Sequence, residues 1–160
     1  WPAVRAVVPE ARLLIVGEGS RREALEVRAA ELGISTSVVF TGRRDDVPAV
    51  TAALDVAVLP SYREAQGLTI LEAMAQGTPV VTSANGATEE VAGGAAVLVD
   101  PLDTASIADG ILRVIEQRDA LSARARDRAL QLSWKRSAQL TREVYAEAIA
   151  DGPRMNKGKR

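Results

Sequence analysis

Five short, mostly apolar runs govern what this chain can fold into. They are "LLIV" at 13–16, "VVF" at 38–40, "DVAVL" at 55–59, "VVTS" at 80–83 and "AAVLV" at 95–99, and turn-forming residues punctuate the stretches between them. Runs this short, with so little polar alternation, suit strands buried on both faces, and such strands belong to parallel sheets covered by helices. Between the runs lie segments with helical spacing. Alternation of strands and helices favours an α/β fold, a parallel sheet joined by right-handed crossovers with helices flanking it.

The punctuation gives provisional boundaries. Ser20 and Glu23 match the S-x-x-E capping box, opening a helix that carries Leu25, Ala29 and Leu32 on one side and stops at Gly33. A short helix is expected from Asp46 to Ala53. Another, starting near Gly67, should turn Leu68, Leu71, Ala75 and Met74 toward the core before ending at Gly77-Thr78-Pro79. "NGATEEVAGG" reads as a loop with a short helix. Beyond Pro101 the pattern becomes helical, at 103–117, 118–131 and 133–150, the last with Trp134, Ala138, Thr141, Tyr145 and Ala148 as an apolar stripe. Residues 1–150 read as one domain. The tail at 151–160, "DGPRMNKGKR", has four basic residues against one acidic and reads as disordered.

Composition removes several function classes. A formal net charge of −1 gives no general attraction to nucleic acid or acidic membranes, and 3% aromatic residues offer few platforms for stacking bases, so no nucleic-acid partner is expected. With no Cys and no His, the chain has no disulfide framework, thiolate nucleophile, Ser-His-Asp triad or H-E-x-x-H metal site. Chemistry is left to carboxylates, Lys, Arg, hydroxyls and backbone groups. No apolar run approaches the roughly 20 residues of a spanning helix, so no transmembrane segment is expected and the compartment reads as cytoplasmic.

"PSYREAQGLTILEAMAQGTPVV" is the stretch that carries chemistry. Glu64 and Glu72 flank Gly67 with seven residues between them. On one continuous helix they would point about 80° apart and lie about 12 Å from each other along the axis. With Glu64 in the loop after a strand and Glu72 in the second turn of a helix starting near Gly67, both can face a ligand at the helix N-terminus. That terminus offers the N–H groups of Gly67, Leu68 and Thr69 and the positive end of the dipole to an anion such as a diphosphate. Carboxylates repel a diphosphate, so the two glutamates make sense facing hydroxyls at opposite ends of a ligand, a sugar and a ribose. From spacing alone, a solvated loop residue and a helix-dipole partner account for the pair equally well. "GEGSRREA" at 17–24 lacks the third glycine of G-x-G-x-x-G, and the strand after Gly33 ends without the acidic residue a nicotinamide ribose requires.

The segment "PSYREAQGLTILEAMAQGTPVVTSANGATEEV" resembles the signature region of family 4 retaining glycosyltransferases of the GT-B fold, and the similarity extends over nearly all of residues 9–150. The resemblance implies the Rossmann-like carboxyl-terminal, donor-binding half of such an enzyme. It implies transfer of a sugar from a nucleotide-diphosphate donor to an acceptor with retention of configuration, without a metal or other cofactor. By position, Glu64 is the catalytic-site carboxylate contacting the donor sugar, the backbone of Gln66, Gly67 and Leu68 holds sugar and diphosphate, Thr69 meets a phosphate and Glu72 binds the ribose. Gly17 and Gly19 line the sugar-diphosphate side, although a plain strand-to-helix turn explains these two glycines nearly as well. Gly42 and Arg43 sit near the base, although for Arg43 a solvated surface side chain is the stronger reading.

The family pattern has Gly-Phe where this chain has Ala65-Gln66, a change expected to restrict the backbone and alter packing beside the donor. "WPAVRAVVPEARLL" resembles the end of the family domain's first helix. The expectation is a domain lacking its first strand and basic pair, with an N-terminal acceptor-binding domain as partner, inactive alone, and with an unpaired sheet edge that invites dimers. The competing readings are a GT-B-type sugar phosphorylase, a nucleotide-sugar epimerase, or a degenerate non-catalytic binding or scaffold module.

Overall fold

A computed structural model describes residues 1–150, and the expected tail at 151–160 lies outside them. The elements run α1 (Pro2–Val7), β1 (Leu13–Val16), α2 (Arg22–Glu31), β2 (Val38–Gly42), α3 (Val47–Ala52), β3 (Ala57–Leu59), α4 (Leu68–Ala75), β4 (Val80–Ser83), α5 (Gly86–Ala92), β5 (Val97–Val99), α6 (Thr104–Glu116), α7 (Arg118–Gln131) and α8 (Trp134–Ala150). Each apolar run has become a strand. All ladders are parallel, but the pairing is divided: β1 pairs β2, β3–β4–β5 form a second ladder, and no ladder joins β1 to β3 among the described residues.

Burial follows from that division. β4 has a strand on each side and a helix layer on each face, and all four of its residues are buried. Its period of two sends Val80 to one face with Ile70, Ala73, Met74, Ala92 and Ala125, and Val81 to the other with Val97, Val99, Val114 and Leu121. Each large apolar side chain so buried contributes about 1.5–3 kcal/mol. On the second face α6 comes so near the sheet that a Cβ on Gly110 would lie 2.4 Å from Val99 Cγ1. β1 and β2, with one neighbour each, have no fully buried residue. They are tied to the larger ladder through helices, α1 packing on α6 and α3 on α4, and the Thr78 hydroxyl donates to the Thr51 carbonyl at 2.7 Å.

Three local expectations need correction or completion. α4 buries Ile70, Ala73 and Met74, whereas Leu68 and Ala75 are exposed and Leu71 is half-buried. The helix is apolar nearly all round, so its packing against β3, β4 and α7, rather than the residue pattern, selects the buried stripe. Ser20 does not cap α2: the Arg22 N–H turns back to the Gly19 carbonyl, and the helix starts one residue later than a capping box requires, with Arg21 as an N-cap that makes no side-chain bond. α8 carries no buried residue, and Trp134 and Tyr145 are 78% and 65% exposed, so its apolar stripe has no cover among the described residues.

Candidate functional site

The carboxyl ends of the parallel strands and the loops leaving them hold every candidate residue that is not on a helix. Open α/β sheets take ligands at this end. From β3 the chain enters Pro60–Gly67, from β4 Ala84–Asn85, from β1 Gly17–Ser20, and from β2 the Arg43–Asp46 turn.

Glu64 is folded back on the loop that follows it. Its Oε1 accepts hydrogen bonds from the N–H groups of Ala65 (3.1 Å), Gln66 (3.4 Å) and Gly67 (3.2 Å). The Gly67 and then the Gln66 N–H hold this carboxyl below the ordinary glutamate range, with Ala65 adding to them and desolvation opposing. Gly67, the N-cap of α4, has φ 73° in the left-handed region, which turns the chain sharply into the helix. The next two N–H groups, of Leu68 and Thr69, have no protein acceptor among the described residues and lie at the positive end of the helix dipole. Among the described residues none other than glycine has a left-handed φ, so Ala65 fits where the family pattern has glycine without backbone strain.

Glu72 is exposed on α4, one turn beyond Leu68 on the same face. It borders a shallow cavity of ≈ 180 Å³ between α3 and α4, lined by Val47, Pro48, Thr51, Ala75 and Gln76. A wider hollow of ≈ 670 Å³ at the α6–α7 junction is bordered by Arg118, whose ion pair with Asp55 places it near the opposite, amino end of β3. It contains none of the candidate residues.

The remaining candidates form a second group. The Gly17 N–H donates to the Gly42 carbonyl at 2.9 Å, bringing these two together at the end of β1 and β2. Nearby, the Arg22 guanidinium lies 5.7 Å from the Phe40 ring centroid and pairs with Glu26 at 2.8 Å. Gly19 faces open space. Arg43 is 83% exposed along its side chain, with Asp45 at 3.7 Å as its ion-pair partner. Among the described residues no hydrogen bond or ion pair joins this group to Glu64–Glu72.

Sequence reasoning read Ser83 as the end of a strand and Asn85-Gly86 as the start of a loop, and gave them no task. Ser83 Oγ donates to the Ser61 carbonyl (2.6 Å), and Asn85 Nδ2 donates to the carbonyls of Ser61 (3.2 Å) and Tyr62 (3.1 Å). The signal available was a polar run, Thr82-Ser83-Ala84-Asn85, after two valines. Among the described residues no cluster of three acidic, His or Cys residues is arranged to hold a metal, and no helix is long and apolar enough to cross a membrane.

Comparison with known proteins gives the family and the fold. A family model described as glycosyl transferases group 1 matches residues 1–117. D-inositol 3-phosphate glycosyltransferase from Salinispora arenicola is 42% identical over 134 residues, covering 76% of this chain and 29% of that protein. Sucrose-phosphate synthase from Thermosynechococcus elongatus superposes with a TM-score of 0.76 at 30% identity, over 91% of this chain and 41% of that one. HepE from Anabaena, solved in complex with UDP, superposes with a TM-score of 0.80 at 25% identity, over 91% of this chain and 44% of that one, and it has also been solved with UDP-glucose. The chain spans about a third of the length of the curated relatives it matches, 29% and 36% of the first two. Its fold is that of these GT-B structures.

Proposed function

The chain belongs to the glycosyl transferases group 1 family, and from that premise we propose that it is the donor-binding part of a retaining glycosyltransferase that uses a nucleotide-diphosphate sugar. The observation that carries this reading is the α4 N-terminus: two N–H groups without a protein acceptor among the described residues, introduced by the left-handed Gly67, between Glu64 before the helix and Glu72 one turn into it. Leu68 and Thr69 offer donors to the diphosphate. Glu64, held ionised by its loop, has Oε2 left to accept from hydroxyls of the donor sugar. Glu72, on the outer face of the helix, accepts from the ribose. Gln66 and Gly67 shape the backbone around the sugar, Gly17 and Gly19 border the diphosphate side, and Gly42 with Arg43 borders the base. A carboxyl kept below its ordinary range is suited to accepting hydrogen bonds and not to protonating a leaving group. Rate enhancement then rests on donor positioning and on stabilising the departing diphosphate.

We further propose that residues 1–160 alone bind donor without forming product, acceptor contacts lying in the remainder of a longer enzyme. This accords with the chain spanning 29% of its Salinispora relative. A phosphorylase, an epimerase or a scaffold module gains no support from any residue placed above. The deciding experiment is calorimetric titration of the chain and its Glu72→Ala form with UDP-, GDP- and ADP-linked sugars. One nucleotide class should bind, and the substitution should weaken it about tenfold, as expected for a lost hydrogen bond to a charged group. Equal affinity of the two forms would refute the ribose assignment. The anomeric configuration of product made by an enzyme containing this chain tests retention.

A further inference from the structure

We propose that Asn85 is a positioning residue for the donor loop, holding its entry so that Glu64 and the amides of 65–67 keep their places. The proposal rests on the donor-site reading above. Residues 60–66 make no backbone–backbone hydrogen bond among the described residues. A loop of this length with no such bonds is held by side chains alone. At its entry the anchors are Ser83 Oγ on the Ser61 carbonyl and Asn85 Nδ2 on the carbonyls of Ser61 and Tyr62. At its exit the anchor is Glu64 itself, through Oε1 and the three amides.

The exit anchor is the group assigned to the ligand. Any turn of the Glu64 carboxylate toward sugar hydroxyls loosens the bonds that shape residues 64–67, and the loop then depends on its entry. There Ser83 reaches one carbonyl whereas Asn85 bridges two, so Asn85 fixes both the position and the direction of the peptide that leads to Glu64. Its own orientation follows from these partners: the carbonyls of Ser61 and Tyr62 can only accept, so the amide nitrogen is the end that faces them. Asn85 makes this connection across more than twenty residues of sequence, from the second position past the end of β4.

The test is Asn85→Asp, with Asn85→Ala as a second variant, each measured on the full chain. Aspartate keeps the size and the N-cap preference at the start of α5, but removes both donors and sets a carboxylate against two carbonyl oxygens. Amide hydrogen exchange is followed by NMR at Ala65, Gln66 and Gly67, with β4 as reference, and affinities for UDP and UDP-glucose are measured by calorimetry. The expected result is exchange about tenfold faster at 65–67 with β4 unchanged, and a fall of about tenfold in UDP-glucose affinity relative to UDP. Wild-type exchange and a wild-type affinity ratio in both variants overturn the proposal. So does an equal acceleration in β4, which would make Asn85 a general stabiliser. A wild-type chain that binds neither nucleotide overturns the donor-site reading, while the exchange rates still decide for or against the tether.

Discussion

Replacing Gly67 by alanine tests whether the turn into α4 requires glycine. At φ 73° and ψ 37° the residue occupies the left-handed region, where an L side chain costs about 1–2 kcal/mol. The new Cβ would also stand 3.1 Å from Ile70 Cδ1, and Ile70, 1% exposed, has to give by a few tenths of an ångström. Alanine narrows the unfolded ensemble by about 0.4–1 kcal/mol in the opposite sense. Because position 67 is an N-cap and not a helix interior, no gain in helix propensity offsets the strain. The difference of these two ranges, with the displacement of Ile70 added, leaves an expected net loss of about 1 kcal/mol, and with about 2–4 °C of melting temperature per kcal/mol at this chain length the midpoint falls by roughly 2–4 °C. Gly19→Ala is the matched control: Gly19 has no left-handed φ and no atom within 4 Å of where a Cβ would stand, so its substitution should stay within about 0.5 kcal/mol. Thermal and urea unfolding of both variants and the wild type, followed by circular dichroism, reads the difference. Equal midpoints for the two substitutions would refute the conformational argument.

Arg128→Ala should destabilise the domain by about 1–3 kcal/mol, because its guanidinium donates to the carbonyls of Val91 (2.9 Å) and Glu90 (2.7 Å) at the end of α5. Arg128→Lys should recover only part, since one ammonium cannot span both carbonyls as the planar fork does, and urea midpoints of the three forms decide the matter. For Glu64, the folded state holds the carboxyl below its unfolded value, so its contribution to stability is complete above the ordinary glutamate pKa of about 4.3 and is lost as pH falls through the lower, folded value. The amide shifts of Gln66 and Gly67 should therefore titrate with a midpoint below that of free glutamate, and Glu64→Gln should abolish the titration. A midpoint at or above the free value would rule out the amide nest.

The strands were legible because each is a compact apolar run that only burial on both faces can use, and each formed within two residues of its expected ends. Helix ends marked by Gly33 and Gly77 were legible for a similar reason, since glycine past a helix carries its own backbone signature. The buried face of α4 was not: with Leu68, Ile70, Leu71, Ala73, Met74 and Ala75 in eight positions, the sequence offers several stripes, and the choice among them lies in the strands and the helix α7 that it packs against. Nor do apolar runs say which strands pair, so the division between β1–β2 and β3–β5 had no local signal in a sequence read as one parallel sheet. At the candidate site, the spacing of Glu64, Gly67 and Glu72 around a helix start singled them out, but it left a solvated pair equally open until the family resemblance was added. Ser83 and Asn85 could not be singled out, because amide and hydroxyl bonds to carbonyls 22–24 residues away leave no periodicity in the chain.

The two groups of candidate residues rest on supports of unequal firmness. Both entry anchors of the donor loop leave from the carboxyl end of β4, the strand buried at every position, so the loop is referenced to the best-packed element of the domain. α4 and α5, at 8 and 7 residues, are too short to be stable by propensity and depend on that same core, through Ile70, Met74 and Ala92, and on the cap from Arg128. Gly17, Gly42 and Arg43 are instead referenced to a two-stranded ladder with no fully buried residue, and such ladders are marginal without further cover. Local stability follows buried contact, so opening is easier around Gly17, Gly42 and Arg43, proposed for the base and one border of the diphosphate, than at the α4 N-terminus. A donor bound as proposed therefore meets one preformed half and one half that binding must order, and the entropic cost of that ordering falls mainly on the contacts made by the β1–β2 end.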